Sequence, residues 1–135
     1  MAQDYKRDMR ASAHRHLNAA QILLGTHRKD VAGYLLGWAA ECALKYMMQK
    51  AGIKELPPSQ RQSDPYYAHF EGVKTLLDDT LKGRRNESLR KFCRQSSLMQ
   101  HWATSMRYSD GKDIDQKWID RWHEDAKQLI AAMDA

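Results

Sequence analysis

Residues 30–52 read DVAGYLLGWAAECALKYMMQKAG, and this stretch decides the fold. Between Val31 and Met48 the only charged residues are Glu41 and Lys45. Apolar side chains such as Val31, Leu35, Trp38, Cys42 and Tyr46 fall on every face of a 3.6-residue period. A helix that is apolar all round has to be surrounded by other elements. The stretch predicts one helix of about 22 residues, roughly 33 Å long. Asp30 is the expected N-cap, and Gly52 supplies a left-handed stop. Gly33 and Gly37 each cost about 1 kcal/mol against alanine in a helix. With Ala40 they form a narrow ridge, so a neighbour is expected to approach closely there, either the first helix or a second copy of the chain.

Working outward, Tyr5, Met9, Ala13, Leu17, Ala20 and Leu24 recur at three- and four-residue spacing. They predict a first helix over about 3–24, closed by Gly25 and joined to the core helix as an antiparallel hairpin. Pro57 and Pro58 argue against a helix, so residues 53–63 read as an exposed crossover loop. Asp64-Pro65 is a helix-restart signal, with Phe70, Val73, Leu76, Leu77 and Leu81 as the buried stripe up to Lys82-Gly83. Asn86 is expected to cap a fourth helix carrying Leu89, Phe92, Cys93, Met99, Ala103 and Met106. Ser109-Asp110-Gly111 reads as a turn. Asp113 with Gln116 resembles a capping box opening the last helix, which buries Trp118, Trp122, Ala126, Leu129 and Met133. No segment alternates with period two. The expectation is all-α: an up-and-down bundle of four to five helices, with residues 1–135 forming one domain.

The chain has 135 residues, 42% hydrophobic and 29% charged, as in a water-soluble globular protein. No apolar run is long and uncharged enough to span a bilayer, and the first ten residues do not read as a secretion signal. The two cysteines, Cys42 and Cys93, make no disulfide framework, so a cytoplasmic location is expected. Net charge is +5, unevenly spread. Residues 82–109 carry seven bases and one acid, and residues 110–135 carry four bases and seven acids. Such asymmetry suits a partner bearing phosphates, although a solvated basic face has the same pattern.

None of the six histidines has a second one three or four residues away, and neither CxxC nor HExxH occurs. The sequence therefore predicts neither a metal site nor a cofactor. Arg94 and His101 are seven apart, which on one continuous helix would return them to nearly one face about 10 Å apart. A histidine can move a proton and an arginine can hold a phosphate, the division of labour that metal-independent cleavage at a ribose 2′-hydroxyl needs. A chance spacing is the competing reading in a chain so rich in both residues. Arg84, Arg85, Arg90 and Lys91, continuing to Arg94, form the densest basic run, and with Arg107 they are the candidate nucleic-acid contacts.

The stretch Ala32–Lys45, with Gly37-Trp38-Ala39-Ala40-Glu41-Cys42-Ala43-Leu44-Lys45 at its centre, resembles the core helix of prokaryotic HEPN domains, which commonly read GYAVECALK there. Tyr67-Ala68-His69-Phe70, followed by Val73 and Leu76-Leu77, resembles the family's THNLxxLL segment. Trp102 with Met106-Arg107-Tyr108 resembles its W…SRY ending. The likeness covers roughly residues 8–133. It marks Glu41, Lys45, His69 and Tyr108 as the motif's polar residues. Glu41 and Lys45 are also an acid-first i,i+4 pair, for which His69 and Arg107 are candidate partners.

The resemblance implies a helical bundle, usually a homodimer, that works on or beside RNA or nucleotides, often in toxin–antitoxin or defence systems. Some members are metal-independent ribonucleases, marked by an arginine followed after four to six residues by a histidine and brought together across the dimer. Arg94 and His101 fit that spacing, as do Arg10 and His16 on the first helix. The toxin type often adds a tyrosine two residues after the histidine, where this chain has Ala103. Other members are non-catalytic partners of small nucleotidyltransferases or are stand-alone domains, and this core helix resembles those more closely; the resemblance thus implies a nucleotidyltransferase or an antitoxin as a partner of this chain.

Overall fold

The computed structural model describes residues 2–82 and 86–135. Five α-helices make the frame: α1 (Met9–Leu24), α2 (Lys29–Lys50), α3 (Phe70–Thr80), α4 (Glu87–Arg94) and α5 (Gln116–Asp134). Short 3-10 turns lie at Pro58–Ser63, Pro65–Tyr67 and Thr104–Tyr108. No strand occurs among the described residues. α2 is the central element, as its all-round apolarity demands, and has its most extensive contacts with α1 and α5. The α3–α4 pair packs alongside. Thirteen of the 22 residues of α2 are buried, Ala32, Leu36, Ala39, Ala40, Ala43, Leu44 and Met48 completely.

The helix ends depart from expectation in informative ways. α1 starts at Met9, where the Asp8 carboxylate accepts from the Ala11 N–H, so Tyr5 lies outside it and is 85% exposed. α2 starts one residue before Asp30, with Arg28 in the cap position. Asp30 instead pairs with Arg28 and sits against Gly111, whose φ is +87°. Any side chain at 111 would collide with that carboxylate. Gly52, at φ +78°, ends α2 as predicted.

The two prolines do not keep the crossover free of helical structure: Pro58 opens a 3-10 turn, where a missing N–H costs nothing. Asp64 caps only the short Pro65–Tyr67 turn, and α3 starts five residues after Pro65, at Phe70. Fully buried, the Asp64 carboxylate accepts from the N–H groups of Leu56 and Tyr66 and thereby closes the crossover. At α5 the cap is Asp115, which accepts from Lys117, and Asp113 is left exposed.

The largest departure is the fourth helix. α4 stops at Arg94, and residues 95–103 form an irregular turn before the 3-10 segment 104–108. Within it Met99 and His101 both have positive φ, 53° and 74°. A helix cannot pass through left-handed residues, so Arg94 and His101 do not share a helix face.

Candidate nucleic-acid interface

The turn from Gln95 to Trp102 is held from three sides. From α3, the Lys74 ammonium donates to the carbonyls of Gln95 (3.0 Å) and Leu98 (3.2 Å). From α5, the buried Asp125 carboxylate accepts from the Met99 N–H at 2.9 Å and the Trp122 indole N–H donates to the Gln100 carbonyl at 2.8 Å. Arg121 bridges Asp125 (3.3 Å) and the Ser97 hydroxyl (2.9 Å). From α2, the Gly33 and Tyr34 carbonyls accept from the Trp102 indole N–H at 3.2 and 3.3 Å. Left-handed backbone at a non-glycine residue costs about 1–3 kcal/mol and persists only where its surroundings over-determine it. Here they do.

The small-residue ridge of α2 is thereby explained. A methyl group on Gly37 would overlap the Trp102 indole, and one on Gly33 would lie 3.0 Å from the Trp122 ring. At the two glycines the close neighbours are the side chains of Trp102, Trp122 and Ile119, not α1 and not a backbone. Tyr34 stacks on Trp102 at 5.8 Å between centroids, and Trp38 meets it edge-on at 6.1 Å.

What the turn presents is His101. The residue is exposed, and its imidazole lies nearly flat on the Trp118 indole, with centroids 4.5 Å apart and planes 21° apart. Trp118, predicted as core, is only half-buried. The two rings line a cleft of about 230 Å³ together with Ser105, Ser109, Asp113 and Ile114. Next to it, sharing Met106, Ser109 and Ile114, is a second cleft of about 320 Å³ that Tyr34 and Arg107 also line. Arg107 and Tyr108 are exposed, with the guanidinium 4.8 Å from the Tyr108 ring centroid. Arg107 is therefore no partner of the Glu41–Lys45 pair.

Arg94 is exposed on α4 and lines a separate cleft with Asp78, Lys82 and Arg90, sharing no residue with the His101 cleft. Arg90 spends part of its guanidinium on the Leu81 carbonyl, at 2.7 Å. Lys91 is exposed, and Arg84 and Arg85 lie outside the described residues. Within one chain the basic cleft and the His101 cleft are distinct. The other arginine–histidine spacing is used structurally: Arg10 pairs with Asp134 at 2.8 Å, and His16 bonds the Ser12 carbonyl at 2.7 Å.

Glu41 and Lys45 form the expected bridge, 3.1 Å long and all but buried, their side chains 6% and 7% exposed. The second Glu41 oxygen has no hydrogen-bond partner among the described residues. His69, half-exposed, approaches it to 3.6 Å, just beyond hydrogen-bonding distance, with its ring edge-on to Trp38. This network joins α2 to the start of α3. Both thiols are inert by environment: burial pushes Cys42 up from its usual value and Cys93 up to about 11.

Sequence reasoning missed Asp125, Lys74 and the exposed role of Trp118. Asp125 carried a signal, because it falls between Trp122 and Ala126 on the buried stripe of the last helix. An acid there needs a partner. Nothing local marks Lys74, whose acceptors are carbonyls more than twenty residues away. Among the described residues no three His, Cys, Asp or Glu side chains come together as a metal ion would need, and no helix is long and apolar enough to cross a membrane.

No curated protein and no solved structure matches the chain. The HEPN domain model matches residues 7–135, nearly its whole length. An all-helical frame around α2 fits that match, and the chain belongs to the HEPN domain family.

Proposed function

We propose that this HEPN domain acts on RNA as a homodimer, in a toxin–antitoxin or defence setting, with His101 meeting the sugar–phosphate backbone. The observation that carries this reading is the display of His101. An imidazole is held out on a strained, triply anchored turn, flat against a half-buried tryptophan, with basic residues on either side of it in the chain. Arg94 lies in another cleft of the same chain, so the catalytic version requires Arg94 from a second copy. In that version His101 takes the proton of a 2′-hydroxyl, and the freed oxygen attacks the adjacent phosphorus. The 5′-oxygen leaves and takes a proton from water, His101 returns its own to solvent, a 2′,3′-cyclic phosphate forms, and Arg94 offsets the charge that builds on phosphorus.

A gel assay of RNA cleavage in chelator, comparing wild type with His101→Ala and Arg94→Ala, tests it. Cleavage by the wild type alone, restored when the two variants are mixed, is the expected result. Equal cleavage by all three rejects the assignment. Binding without cleavage by any of them selects the second reading, a non-catalytic module that pairs with a nucleotidyltransferase or an antitoxin. Ala103, in the position where the toxin type often has a tyrosine, favours that reading.

A further inference from the structure

We propose that the cleft beside His101 is a guanine-reading pocket; this rests on the RNA reading and adds which base the domain selects. The cleft holds about 230 Å³, below the roughly 300–1,000 Å³ of pockets for drug-sized ligands and suited to a single planar ring system. One wall is aromatic: the His101 and Trp118 rings cover each other's inner faces at 4.5 Å, and an outer face of that stack is where a base would lie.

The polar residues decide which base. Asp113 is exposed and free of hydrogen bonds and ion pairs among the described residues, because Asp115 caps α5 in its stead. A carboxylate only accepts, and it accepts best from two adjacent donors. Guanine offers that pair in N1–H and the N2 amino group, whereas adenine and cytosine place an acceptor beside their amino group. Ser105 supplies a hydroxyl that can donate to O6 or N7. The Ser109 hydroxyl is already engaged, accepting from the Gly111 N–H at 3.0 Å. No lysine or arginine lines this cleft, so its interior suits a base, with the sugar–phosphate passing at its His101 edge. The bases that would meet the backbone, Arg107 among them, line the neighbouring cleft.

The test is fluorescence anisotropy on five-nucleotide, 2′-O-methyl single strands that cannot be cleaved, each with a central G, A or C among uridines. The full chain should bind the G strand about 5- to 150-fold more tightly than the A strand, the range a good bidentate base contact supplies. Asp113→Asn, whose amide pairs an acceptor with a donor, should remove that preference by weakening the G strand and leave the A strand bound as tightly or more tightly. Trp118→Leu should weaken all three strands, with circular dichroism confirming that it folds. Equal binding of G, A and C, or a preference that survives Asp113→Asn, overturns the inference and leaves the RNA reading standing. Failure to bind any strand overturns both. If Trp118→Leu lowers the mass seen in sedimentation but not base preference, the cleft seats a second copy and the inference is overturned.

Discussion

Gly37 shows how one residue can serve two levels of structure at once. In an isolated helix alanine at this position would be worth about 1 kcal/mol. Here the Cβ would overlap the Trp102 indole, whose N–H is committed to two α2 carbonyls and cannot retreat without losing them. Gly37→Ala should therefore destabilise by about 1–3 kcal/mol or more, read as a lower urea midpoint. Stabilisation would show that Trp102 is not seated there. The buried Glu41–Lys45 pair gives a second test. Lys45→Met strands a carboxylate that is already short of one partner, and should cost about 3–5 kcal/mol. Lys45→Met combined with Glu41→Leu should recover most of that loss. If the single substitution costs less than about 1 kcal/mol, water or His69 takes over from the lysine.

The turn between α4 and the 3-10 segment is the element in which backbone strain is set against packing. His101 and Met99 are held left-handed by contacts from α2, α3 and α5, so the strain is stored by the whole frame. Glycine at 101 relieves it by about 1–2 kcal/mol, while losing the ring stack on Trp118 costs about 0.5–1.5 kcal/mol. Alanine loses the stack and keeps the strain. His101→Gly should then be more stable than His101→Ala by about 1 kcal/mol in chemical denaturation, although both remove the imidazole. Equal stability of the two variants would mean that the backbone at 101 is relaxed.

For the molecule as a whole, pH-dependent contacts join α5 to α1, where Asp134 pairs with Arg10 and His14 and where His123 meets Gln21. His123 is half-buried, and burial first, then the Lys127 charge, hold its pKa below the ordinary histidine value. Its Nε2 accepts from the Gln21 amide at 3.2 Å, which only the unprotonated nitrogen can do. Because the folded pKa lies below the unfolded one, the unfolded chain binds more protons as the pH falls. The contribution to stability is complete above about pH 6.5 and is lost as pH falls through the folded value. Replacing His123 with Gln should flatten the fall in melting temperature between about pH 7 and pH 5. An unchanged slope would assign the acid sensitivity to other groups.

Legibility followed the range of the forces involved. The class of fold, the position and length of α2, its glycine stop and the buried stripes of α3 and α5 were readable, because periodicity and turn chemistry act over a few residues. So was the Glu41–Lys45 bridge, an i,i+4 pair on one helix. The caps of α2 and α5 were each misread by two residues: at α5 neighbouring aspartates compete for the position, and at α2 Arg28 takes it with no side-chain bond while Asp30 pairs with Arg28. The break after Arg94 was not legible. Apolar residues continue at near-helical spacing through Met106, and what stops the helix is distant: Asp125 and Trp122 on α5, Lys74 on α3, and the groove that Gly37 opens for Trp102. By itself the sequence determined an all-helical domain built around residues 30–52 and the polar pair inside it. Only the tertiary structure decided that Arg94 and His101 part company and that His101 is carried out onto Trp118. A backbone conformation that costs energy locally can be specified only by contacts that arrive from elsewhere in the chain.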